Sequence, residues 1–347
     1  MLFKQHSVEI QFGPFQGITD VHYRNVFQSY FTGIDKFFTP FFSGIHKENS
    51  KNLKTDEINP LFNDINQLIP QLLSNDSAEI LRFAEQCKTM GYNEVNLNMG
   101  CPYPQVALKK RGSGLMPYTE MVAKIMNELK GNLPLAFSIK CRLGYHNSTE
   151  LDELLPYFNS VGLKELIVHA RLGKQMYGGV PDQDKFAAII PLSDSPVVYN
   201  GDVFTVDQFK AYQQKFPEIT KWMLGRGILS DPFLASDIKG TTAENDMKDR
   251  KEIVYQFITS LYLKRRKVKA DNPAILGRMK ELWSYLHWSF DDPATAWRMI
   301  RKAGNFEDYE ETVAYIIKHQ QWVGSGFIRS ASSKNDYDET FYQHAIE

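Results

Sequence analysis

The chemistry in this sequence gathers on one short turn, Asn98-Met99-Gly100-Cys101-Pro102. An apolar run ends at Asn98, Gly100 lets backbone come close to a ligand, and Pro102 stiffens the exit. A free cysteine generally packs as a small hydrophobe, but one held between Gly and Pro at a strand end reads as a functional thiol. Two roles are open. A nucleophile needs a neighbouring base or cation to hold the thiolate. A proton donor needs only its proton, and an ordinary thiol with a pKa of about 8.5 keeps it at neutral pH. Cys87, in a helical pattern, and Cys141, after Lys140, read as packing.

Other polar residues follow apolar runs in the same way: Gln71, Lys140 with Arg142, His169 with Arg171, and Asn200-Gly201-Asp202. A cation at the end of a buried strand needs a partner. For Lys140 that is an internal carboxylate, an electron-rich ring or a phosphate, and the ring or phosphate is preferred. Gly201 and the Gly225-Arg226-Gly227 motif follow the last two strands, where barrels bind phosphate through backbone N–H groups. The run Lys109-Lys110-Arg111-Gly112-Ser113-Gly114-Leu115 reads as a solvated loop, or, next to Cys101, as a grip on a polyanionic substrate. No Cys/His pair has ligand spacing, so no metal is expected.

The elements that must position these groups are eight short apolar runs: Val8–Phe12, Lys36–Thr39, Gln67–Leu72, Glu94–Asn98, Ala136–Lys140, Glu165–His169, Val197–Asn200 and Trp222–Leu224. Helical patterns alternate with them, as at Ser77–Met90, Met121–Leu129 and Val206–Phe216. This alternation predicts an α/β fold, a (β/α)8 TIM barrel with its chemistry at the carboxyl rim. From about residue 241 only helical periodicity remains (Glu252–Lys264, Ile275–Trp288, Ala294–Lys302, Phe306–Val323). The expected division is therefore a barrel over 1–240, a helical domain over 241–324 and a mobile tail over 325–347.

With 40 basic and 41 acidic residues among 347, net charge does not announce a nucleic-acid partner. Three cysteines exclude a disulfide framework, and no run approaches the ~18 apolar residues of a membrane span. A soluble, cytoplasmic monomer is expected. A phosphate clamp at strands seven and eight, cations and amides at other strand ends and a facing thiol fit a flavin mononucleotide (FMN) enzyme. Its ring would lie across the barrel mouth near Lys140.

At this level of detail the chain resembles the tRNA-dihydrouridine synthase family. The resemblance runs in order through Gly13-Pro14-Phe15-Gln16-Gly17-Ile18-Thr19-Asp20 with Arg24, Gln71, Asn98–Pro102, Gly112–Met116 and Lys140–Gly144. It continues through His169-Ala170-Arg171, Asn200-Gly201-Asp202, Gly225-Arg226-Gly227 and the Arg278-Met279-Lys280 helix with Trp283 and Tyr285. It departs at Phe15, Asn96, Tyr103 and Leu172, where the family usually has Met, Asp, a small residue and Thr. The resemblance implies reduction of the C5=C6 bond of a uridine in tRNA, with FMN reduced by NADPH or NADH and Cys101 as proton donor. It places Pro14, Phe15 and Gln71 on the isoalloxazine ring and Asn98, Lys140 and His169 along its polar edge. Asn200, Gly201, Asp202, Gly225 and Arg226 would hold the phosphate end.

Lys109, Arg171, Lys264, Arg265, Arg266 and Lys280 become RNA-contact candidates, the dense run Lys264–Lys269 foremost. A dihydroorotate-type reductase of a free pyrimidine is a competing reading, but it has no use for the helical region. A catalytically silent RNA-binding barrel, or a lyase using Lys140, would each lack flavin colour.

Overall fold

The computed structural model describes residues 8–45, 55–242, 249–268 and 272–324. The expected tail over 325–347 and Lys269 of the basic run lie outside them. Two compact units are present, and they do not divide at residue 240.

The first unit comprises residues up to Pro14, then Asp35–Asp202 and Gln213–Leu224, and holds the sheet. Its strands are β1 (Glu9–Phe12), β2 (Lys36–Phe38), β3 (Leu68–Ile69), β4 (Gln71–Leu72) and β5 (Glu94–Met99), then β6 (Ala136–Gly144), β7 (Leu166–Leu172), β8 (Val197–Asn200) and β9 (Lys221–Leu224). All pairings are parallel, in the order β3-β2-β1-β9-β8-β7-β6-β5-β4. The run expected as one third strand is split at Pro70, which has no N–H to give the ladder. Leu68–Ile69 pairs with β2 and Gln71–Leu72 with β5, so the two ends of the order are adjacent in the chain and the barrel closes there.

Side chains alternate across each strand. Phe38, Ile69, Ile167, Val198 and Met223 meet as an apolar cluster within the barrel. At its base Glu165, fully buried, accepts hydrogen bonds from Gln11 (2.7 Å) and Lys221 (2.9 Å). β6 and β7 run further than the sequence suggested, to Gly144 and Leu172, so Lys140, Arg142, His169 and Arg171 stand inside strands. The Ser77–Thr89 helix is capped by Asp76, whose side chain accepts from Ala78 N–H; Ser77 is its first residue and not its cap.

The second unit gathers Phe15–Ile34, Val203–Tyr212 and Gly225 onward. Its helices include Val21–Tyr30, Arg226–Ser230, Arg250–Val268, Ala274–Leu286, Pro293–Lys302 and Phe306–His319. The division differs from the expected one because the Val21–Tyr30 helix packs on Arg250–Val268. Tyr30 Oη lies 2.7 Å from Ser260 Oγ, and Phe27 and Phe31 meet Phe257 edge-on. Gly33 (φ +94°) passes so close to Ser236 N that a Cβ would stand 2.6 Å from it.

Candidate active site

β5 presents Glu94, Asn96 and Asn98 on one face, and the register sets Asn96 beside Ser138 and Asn98 beside Lys140. Just past β5, Asn98 Oδ1 accepts from the N–H groups of Gly100 (3.0 Å) and Cys101 (2.9 Å), which fixes the turn. Cys101 is 8% exposed. Its carbonyl accepts from both the N–H and the hydroxyl of Ser113, each at 3.0 Å.

That contact overturns the solvated reading of part of the basic run. Lys109 and Lys110 are exposed, and Arg111 turns to Asn75 Oδ1 (3.2 Å), but Gly112–Leu115 is a buried 3-10 turn beneath Cys101. Gly112 has φ +56°, and a Cβ on it would stand 2.5 Å from the Cys101 carbonyl oxygen. Gly112→Ala therefore meets both a left-handed backbone and rigid main chain, with a cost of about 1–3 kcal/mol. Urea denaturation should show that loss.

Burial pushes the Cys101 thiol above its ordinary pKa; a backbone hydrogen bond from Tyr103 and the charges of Arg142 and Lys140 oppose this without cancelling it. The thiol is protonated at neutral pH, the state a proton donor needs. Cys87 and Cys141 are fully buried, as their packing role requires.

The two cations of β6 differ in kind. Arg142 is consumed internally: its Nε donates to Gly100 O (2.9 Å), and one terminal nitrogen donates to Leu172 O (2.8 Å) and Met176 O (2.7 Å). It braces the Cys101 turn against the end of β7, where Met176 holds a left-handed φ of +51°. Lys140 is set deep in the barrel mouth yet keeps part of its side chain accessible, and no carboxylate pairs with it among the described residues. Desolvation, then the charge of Arg142, lowers its pKa to about 8.

Several of the expected contact residues are engaged within the chain. Gln71 is fully buried, with its amide bonded to Asn96 (2.9 Å) and Asn98 (2.8 Å). Asn98 is spent on the turn. Arg171, 1% exposed, grips Asp202 through two nitrogens (3.0 and 2.5 Å) and the carbonyls of Gly178 and Gly179. This removes Arg171 from reach of an RNA phosphate, and the Asp202 carboxylate does not offer a phosphate a donor. His169 Nε2 lies 3.3 Å from the same guanidinium, and Asn200 Nδ2 donates to Met223 O (2.8 Å). Gly201 tolerates no side chain, because its Cβ would meet the Tyr199 ring. Pro14, directly after β1, is half-buried.

In the second unit Phe15 is half-buried, edge-on to Tyr285 at 5.7 Å. Gly225 starts the Arg226–Ser230 helix with no side-chain cap, and Arg226 stacks over Phe204. Of the RNA candidates there, Arg265 is buried, donating to Ile18 O (3.0 Å) and pairing with Asp20 (3.3 Å). Arg266 stacks on Phe306 and pairs with Glu310, and Lys280 donates to the Arg301 and Ala303 carbonyls. These three are structural ties in place of free cations. Lys264 is partly exposed and Lys109 exposed.

A parallel β/α barrel thus carries a buried thiol just past β5 and a desolvated amine within the neighbouring strand β6. The chain belongs to the dihydrouridine synthase family, whose model, "Dihydrouridine synthase (Dus)", matches residues 11–338. Dihydrouridine is uridine with its C5=C6 bond reduced, so the chain is an oxidoreductase. It is similar to a tRNA-dihydrouridine(16) synthase of Cupriavidus necator, 29% identical over 68% of this chain and 73% of that protein. Similarity to a tRNA-dihydrouridine(16) synthase of Neisseria meningitidis serogroup B is 25% identity over 88% and 93%. For the tRNA-dihydrouridine synthase B of Pasteurella multocida it is 26% over 64% and 66%. An old yellow enzyme homologue from Zymomonas mobilis shares the fold, with a TM-score of 0.50 and 11% identity over 68% of this chain and 89% of that one.

Proposed function

We propose that the protein reduces a uridine of tRNA to 5,6-dihydrouridine, with FMN as resident cofactor and NADPH or NADH as reductant. The observation that carries this reading is the pairing of Lys140, a deep, desolvated cation lacking an anionic partner among the described residues, with the protonated thiol of Cys101. An electron-rich ring supplies the partner that Lys140 lacks. An amine of this kind beside a protonated thiol fits FMN, which when bound supplies hydride to C6 of the pyrimidine.

The protein's own residues do the rest. Cys101 Sγ gives its proton to C5 and is later reprotonated from solvent. Asn98, Ser113 and Arg142 hold the turn that aims it. Lys140 steadies the electron-accepting edge of the ring, and burial keeps the thiol from ionising early. Lys109 and Lys264 remain open to RNA phosphates. The relatives named above are described as acting on tRNA, and that substrate is carried to this chain on their similarity.

The test is incubation of purified protein with unmodified tRNA and NADPH, followed by mapping of dihydrouridine along the tRNA. Dihydrouridine at a defined position is the expected result. A flavin-bound protein that leaves every uridine intact yet reduces free orotate-type pyrimidines would favour the small-molecule reading.

A further inference from the structure

We propose that Glu94, Ser138, Asn96 and Gln71 are positioning residues that fix the Cys101 turn from within the barrel, through a hydrogen-bond chain of one polarity. The links are continuous. Ser138 Oγ donates to Glu94 Oε1 at 2.8 Å, and Asn96 Nδ2 donates to Ser138 Oγ at 2.9 Å. Gln71 Nε2 donates to Asn96 Oδ1 at 2.9 Å, and Asn98 Nδ2 donates to Gln71 Oε1 at 2.8 Å. Asn98 Oδ1 then accepts from Gly100 and Cys101. Glu94, Ser138, Asn96 and Gln71 are all nearly or fully buried, so water does not substitute for a missing link.

The ends of the chain allow only this direction. A carboxylate only accepts, and Glu94 is held beside Lys164 (3.0 Å) and Lys36 (3.9 Å). Ser138 must therefore spend its single proton on Glu94 and present a lone pair to Asn96. Each amide has a donor side and an acceptor side, so the choice at Ser138 propagates: Asn96 shows its oxygen to Gln71, Gln71 its oxygen to Asn98, and Asn98 its oxygen upward. At the top two backbone N–H groups can only donate, and they meet that oxygen. Both ends demand the same orientation of three side-chain amides, and a reversed amide anywhere would set donor against donor. The amide of Asn98, which fixes the thiol's turn, is thus specified four side chains away, at the opposite end of β5.

The catalytic meaning of this device rests on the role proposed for Cys101, so the test reads the turn itself. Hydrogen exchange at the Gly100 and Cys101 amides should be measured in the holoprotein, its Ser138→Ala and Ser138→Thr variants, and Glu94→Gln. Ser138→Ala removes the link and should speed exchange at those two amides by about tenfold or more, while Val95 and Leu97 stay protected. Ser138→Thr keeps the hydroxyl and should restore near-parental exchange at both. Glu94→Gln, which no longer dictates direction, should speed exchange at both amides, and it serves if Ser138→Ala does not fold. Parental exchange at Gly100 and Cys101 in Ser138→Ala or Glu94→Gln would overturn the proposal. So would acceleration spread evenly over β5, because that reports general loosening. If the local effect appears in a protein that makes no dihydrouridine, the positioning chain stands and the proposed activity falls.

Discussion

Cys101→Ala should lower dihydrouridine formation on unmodified tRNA by about two to four orders of magnitude, the usual contribution of a positioned general acid. Reduction of the bound flavin by NADPH should continue at its parental rate, because that half of the cycle does not use the thiol. Separating the two by single-turnover kinetics checks the assignment. Full product formation by the variant would overturn it. The pH dependence has a definite sign. Burial raises the thiol above its ordinary pKa, so the acid form persists through neutral pH. Its contribution is lost as pH rises through that raised value, and a step that instead gained rate with alkalinity would mark a nucleophilic thiolate.

Lys140→Met should leave the flavin-stripped protein more stable at pH 7 while emptying it of flavin on purification. The amine falls from an ordinary 10.5 to about 8 because desolvation disfavours its charge. The unfolded chain thus binds the proton more tightly than the folded one, and stability rises with pH. The penalty is fully present below about 8 and disappears as pH approaches 10.5. With partial access of the side chain discounted, removing it should gain about 1–3 kcal/mol at pH 7 and little near pH 10.5. Urea denaturation at the two values measures this. A Met variant less stable than its parent at pH 7 would mean that the amine has a partner in the fold.

Much of the barrel was legible because its strands are short, apolar and bounded by turn residues, and because polar groups punctuate their carboxyl ends. The Cys101 turn was legible for the same reason. Charge was harder to read. Arg171, Arg265 and Lys140 look alike in a sequence, yet two are locked to Asp202, to Asp20 and to backbone carbonyls, and the third has no such partner among the described residues. What separates them is contact between distant segments, as with Arg265 and Ile18, which lie 247 residues apart. The same holds for the division of the chain, set by a tyrosine and a serine on helices far apart in sequence. The polar chain within the barrel did leave a trace: Glu94, Asn96 and Asn98 alternate with Val95 and Leu97. Period-two polarity in a strand buried on both faces points to an interior network, and it was read only at its last member.

Pro70 has a consequence for how the barrel is wound. Every other neighbouring pair in the sheet shares a ladder, so a slip on one strand is passed to the next. Between Ile69 and Gln71 the backbone belongs to two ladders in turn, one shared with β2 and one with β5. The cylinder therefore has a seam at which the stagger gathered around its circumference is taken up by a single residue. The Cys101 turn rides on β5, immediately on one side of that seam, so the depth at which the thiol stands is indexed first to β4 and β6, its direct ladder partners.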